Sequence, residues 1–120
     1  MKTVEFIVTG DPAAARTVVV NALEARRFRL GWSDEWQATA QRGQMWLNVL
    51  VGAFAQYFKV ELKVSSAEQG RSVIRLEKSS SGIMGGAVGV SRANKNLAAL
   101  RDELSQVFTE QGILVGVKET

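Results

Sequence analysis

The chain has 120 residues, of which 46% are apolar, and its 15 Lys and Arg against 12 Asp and Glu leave a net charge of +3. It contains neither His nor Cys. Disulfides, cysteine nucleophiles, imidazole bases and the usual nitrogen and sulfur metal ligands are therefore excluded. The length suits one domain, 1–120, with a sizeable core. The charge is too small and too dispersed to mark a broad polyanion-binding face.

The first segment, Thr3–Thr9, alternates, with Val4, Phe6 and Val8 on one side. This predicts a strand with one buried face. Glu5 and Asp11 interrupt any signal-peptide apolar region, so no secretion signal is expected. In Gly10-Asp11-Pro12, Asp11 is suited to accept from the first free amides of a helix and Pro12 suits its first position. The helix is predicted to run to about Arg27 and to bury Ala15, Val19, Ala22 and Leu23.

Phe28–Trp32 leads into a second alternating stretch ending at Arg42-Gly43, with Trp32, Trp36, Ala38 and Ala40 on one face. Asp34 falls on the apolar side, at a turn between two short strands. Gln44–Gln56 repeats Trp46, Leu50, Ala53, Phe54 and Tyr57 at helical spacing, although Val49-Leu50-Val51 suits a strand equally well. Tyr57–Ser65 then alternates cleanly, with Phe58, Val60, Leu62 and Val64 inward. A turn at Ala67–Gly70 joins it to Ser72–Lys78, giving a hairpin.

Ser79–Gly89 reads as a loop. Ser91 is placed to cap a last helix whose apolar stripe is Leu97, Leu100, Leu104, Val107 and Phe108, and Gly112 ends it. Ile113–Val117 either adds an edge strand or packs down. The order β-α-β-(β)-α′-β-β-α-(β) gives an α+β fold. Two long helices, with a short third, cover one face of a mainly antiparallel sheet. No stretch is apolar enough over ~20 residues to span a membrane, and a cytoplasmic, cysteine-free protein is the expectation.

Catalysis has little to work with. Glu61 and Glu77 sit among Lys59, Lys63 and Arg75 on the polar sides of strands, where charge pairing explains them. Asp34 and Glu35, between Trp32 and Trp36, are the one carboxylate pair whose burial against indoles would suit a cyclase- or hydrolase-like acid. Ser79-Ser80-Ser81 beside Lys78 lacks the context of a serine–lysine dyad, and no metal-ligand spacing exists. The composition points away from an enzyme, with no cofactor and no metal.

Two segments remain unlike ordinary scaffold. The glycine run Ser81–Val90 precedes a helix, where Gly85 and Gly86 amides, with Arg92 and Lys95, are candidates for an anion. It matches neither the dinucleotide fingerprint nor the Walker pattern. Its Ile83, Met84, Val88 and Val90 are apolar and suit a lid or a contact with a partner or lipid surface. The second segment is aromatic: Trp32, Trp36, Trp46, Phe54, Tyr57 and Phe58 fill a core or line a cavity. Arg26, Arg27 and Arg29 suit the dipole of a helix C-terminus, and with Arg16 nearer the helix start they do not point to nucleic acid, since no aromatics alternate with them.

The residues Gln41-Arg42-Gly43, Asn48, Gly52–Phe58 and Ser81-Gly82…Gly85-Gly86…Gly89…Arg92 resemble a group of small uncharacterised bacterial proteins over most of the chain. More loosely, the element order is similar to the helix-grip arrangement of polyketide-cyclase-like and START-like proteins. That resemblance implies an apolar ligand held between sheet and last helix, although this chain is shorter and continues past that helix. The reading is a non-catalytic domain binding a small apolar or amphipathic molecule. Its expected lining is Trp36, Trp46, Leu50, Phe54, Phe58, Leu97 and Leu104. The alternative is a homodimer or peripheral membrane contact through 81–90.

Overall fold

The computed structural model describes residues 2–42, 58–78 and 87–120, and of residues 87–93 the backbone alone. Strand β1 (Thr3–Thr9) buries Val4, Phe6 and Val8, as its alternation requires. It turns at Gly10 into helix α1 (Pro12–Ala25). The Asp11 carboxylate accepts the Ala14 N–H at 2.8 Å, and Pro12 occupies the first turn. A buried Ser72 hydroxyl donates to the Gly10 carbonyl at 2.7 Å, so the start of α1 is tied to the sheet beneath it. The helix closes in a Schellman arrangement, with the Phe28 N–H on the Leu23 carbonyl and Arg27 at φ 68°.

Strands β2 (Arg29–Trp32), β3 (Gln37–Arg42), β4 (Phe58–Ser66) and β5 (Arg71–Lys78) follow as an antiparallel meander. The β4–β5 hairpin turns through Gln69 and Gly70, both at positive φ. Helix α2 (Ala87–Glu110) then crosses back, and β6 (Leu114–Glu119) pairs with β1. The six strands stand in the order β2-β3-β4-β5-β1-β6, antiparallel throughout. The fold is thus α+β, a six-stranded antiparallel sheet with two helices among the described residues.

One apolar cluster joins the helices to the sheet. Ala15, Val19, Ala22 and Leu23 from α1 meet Leu97, Leu100, Leu104 and Phe108 from α2 over the inward residues of β1, β3, β4 and β5. Phe108 packs edge-on against Phe6, with centroids 5.2 Å apart. Each such fully buried Leu, Ile, Val or Phe contributes roughly 1.5–3 kcal/mol relative to exposure. Arg26 at the C-cap of α1 reaches Glu103 on α2 at 3.4 Å, and Arg101 on α2 bridges its neighbour Asp102 and Glu119 on β6. These hydrogen bonds, to Asp102 first and then Glu119, raise the Arg101 pKa above its ordinary value.

One element starts earlier than the sequence reading places it, and one open choice is resolved. The last helix begins at Ala87, so Ser91 lies inside it instead of capping it, and Val88 and Gly89 are helical, not loop. A single glycine costs a helix only about 1 kcal/mol, which neighbouring turns readily offset. The open choice at Ile113–Val117 is settled as an edge strand. Ile113 accepts the Thr9 N–H at 2.9 Å, and Leu114–Glu119 pair with β1 through a bulge at Val115. The proposed short helix at Gln44–Gln56 lies outside the described residues.

A notch beside Trp36

Strands β3 and β4 differ in length, and a notch follows from that difference. β4 has nine residues and β3 six; their register begins with Gln37 opposite Lys63, leaving Val64–Ser66 of β4 beyond the end of β3. Just past that register, the Val64 N–H donates to the Trp36 carbonyl at 2.9 Å. The turn between β2 and β3 is closed locally. The Ser33 N–H donates to the Gln37 carbonyl at 2.9 Å, and the Asp34 carboxylate accepts the Trp36 N–H at 2.7 Å. Trp36 is therefore held at the mouth of the notch, half-buried against the core.

The notch opens as a hollow of about 510 Å³ lined by Pro12, Asp34, Glu35, Trp36, Gln37, Lys63, Val64, Ser65 and Ser66. Pro12 belongs to the turn of α1 that Ser72 anchors through Gly10. Val64 is buried and marks the helix-side face of β4, so Lys63 before it points to the other face. Asp34 and Glu35 stand exposed on the turn. Nearby on β2, the Trp32 ring is already covered by the Arg16 guanidinium, 4.1 Å from its centroid.

The opposite face of the sheet carries a smaller, more polar groove of about 390 Å³, with Glu61, Lys63, Arg75 and Glu77. Glu61 pairs in register with Glu77, and Lys63 with Arg75. Like charges thus face directly and opposite charges diagonally. Thr39 donates to Glu61 at 2.9 Å, while Lys2 and Arg75 each approach Glu77 at 3.6 Å. These exposed pairs make a solvated charged face.

The residues expected to line a pocket under α2 separate into three groups. Phe58, Leu97 and Leu104 are 3%, 0% and 0% exposed and belong to the filled core, with Phe58 edge-on to Phe28 at 6.2 Å. Trp36 packs at the margin of that core and also faces the hollow. Trp46, Leu50 and Phe54 lie outside the described residues, as do Gly85, Gly86 and the side chain of Arg92. With α2 starting at Ala87, Arg92 and Lys95 lie beyond its first turn, so they do not stand at the helix N-terminus the anion reading required. Lys95 is exposed.

Pro12, Val64, Ser65 and Ser66 escaped the sequence reading as site residues. No short stretch of sequence signals them, because the notch depends on the register between β3 and β4. Among the described residues no helix is long and apolar enough to cross a membrane, and no group of three or more Asp or Glu is placed to hold a metal ion. No model of a known protein family matches the chain, and no curated protein matches it.

Proposed function

We propose that this chain is a non-catalytic binding domain whose ligand, a small amphipathic molecule, sits in the hollow beside Trp36. The carrying observation is a half-buried indole that forms one wall of a space of about 510 Å³. Pro12 and Val64 extend the apolar surface, while Asp34, Glu35, Ser65 and Ser66 supply a few polar groups around it. Small-molecule sites commonly combine these ingredients. One oxygen of Asp34 is committed to the Trp36 amide, which favours a positioning role over acid catalysis. The looser likeness to helix-grip proteins supports a ligand beside the sheet, here at the first helix instead of the last.

The test is a titration with a panel of small aromatic amphiphiles, neutral, cationic and anionic, followed by the NMR signal of the Trp36 indole N–H. The signal is assigned by its disappearance in Trp36→Phe. Saturable shifts confined to Trp36 and its neighbours are expected; no shift with any member at millimolar concentration rejects the site.

A second reading, self-association, has a specific observation behind it. Val115 and Val117, 43% and 38% exposed, both lie on the edge strand β6. An open edge carrying apolar side chains favours pairing with another strand, here β6 of a second copy. Sedimentation across a wide concentration range tests it, a monomer throughout rejecting it.

A further inference from the structure

We infer that the ligand of the Trp36 hollow is an organic cation, an ammonium group carried on a small apolar body. This rests on the binding reading above and adds the charge of the ligand. The two tryptophans at the ends of the β2–β3 turn provide an internal comparison. Trp32 carries a guanidinium over its ring, whereas among the described residues no cation lies over Trp36. An indole face attracts a cation through its ring quadrupole, and the attraction grows as water is displaced.

The charges around the hollow favour the same sign of ligand. Its two acidic side chains, Asp34 and Glu35, lie on the turn itself. The Trp36 N–H occupies one Asp34 oxygen, and among the described residues the other has no partner. Glu35 has no ion-pair or hydrogen-bond partner among the described residues. The single cation of the lining, Lys63, alternates with buried Val64 and leaves on the far face, in register with Arg75 and Gln37. An incoming ammonium therefore meets an aromatic face and two carboxylates, while an anion meets repulsion from both.

The experiment uses three probes of one shape and different charge: choline, its uncharged carbon isostere 3,3-dimethylbutan-1-ol, and the anion 3,3-dimethylbutanoate. Each is titrated into the full chain while the Trp36 indole N–H is followed. Choline is expected to bind on the order of tenfold more tightly than the alcohol, and the anion most weakly. Glu35→Gln should weaken choline several-fold more than it weakens the alcohol, with the rest of the spectrum reporting an intact fold. Equal affinity of choline and the alcohol overturns the cation inference and leaves the binding reading standing. Tighter binding of the anion overturns it as well. Absence of binding by all three probes overturns the inference, and absence across the aromatic panel also removes the binding reading.

Discussion

The middle of the sheet and its β2–β3 edge are built from the same alternating pattern but end in different physical states. In β1, β4 and β5 every inward residue from Val4 to Val8, Phe58 to Val64 and Ser72 to Leu76 is buried beneath the helices. At the edge, Ala38 and Ala40 are buried, but Leu30, Trp32 and Trp36 are only half covered. The difference is one of roof area. Among the described residues two helices cover the central strands, and the hairpin beyond them keeps its largest side chains at a half-covered margin. The centre carries the stability, and the margin is where the proposed ligand would sit.

Phe108→Ala gives the largest expected effect, a loss of about 3–5 kcal/mol in denaturant unfolding, because it opens a cavity against Phe6 in the centre. Trp36→Ala should cost much less, on the order of 1–2 kcal/mol, while abolishing probe binding. Equal losses at the two positions would erase the distinction between centre and margin. Asp34→Ala removes the acceptor of the Trp36 N–H and should cost about 1 kcal/mol. It should also broaden the Trp36 indole signal, sharpening the claim that the turn holds that ring in place.

The helix ends offer a finer test. Both helices close through the same pair of backbone bonds, with Arg27 at φ 68° ending α1 and Gly112 at φ 72° ending α2. Gly112→Ala should lose about 1 kcal/mol, and Arg27→Gly should gain up to about that much, both read from thermal unfolding. The smallest effect belongs to Val117→Lys, which should leave stability within about 0.5 kcal/mol and remove any concentration-dependent sedimentation.

Much of the fold was legible because its signals are local. Asp11-Pro12 marked the start of α1, the alternation from Phe58 to Val64 marked β4, and the stripe from Leu97 to Phe108 marked the buried side of α2. The start of α2 was misplaced because Gly89 reads as a breaker, whereas a long helix absorbs one glycine. The site was legible only in fragments. Asp34, Glu35 and Trp36 stood out singly, but the hollow arises where β4 outruns β3 and where the first turn of α1 arrives from another part of the chain. Neither relation is carried by any short stretch of sequence. For the same reason apolar periodicity places Phe58, Leu97 and Leu104 on an inward face but says nothing about whether the space before it is filled.

Thr3 and Thr120 exchange backbone hydrogen bonds, and the Lys2 N–H donates to the same Thr120 carbonyl. The first and last strands are thus stitched together by contacts of the greatest sequence separation in the molecule. Such closure is entropically slow to achieve and delays completion of the sheet edge. Backbone cyclisation joining Thr120 to Lys2 by a short linker would turn that slow encounter into a nearest-neighbour hairpin without separating any other pair of strands. Refolding should be faster, with the hollow at the far margin left as it was.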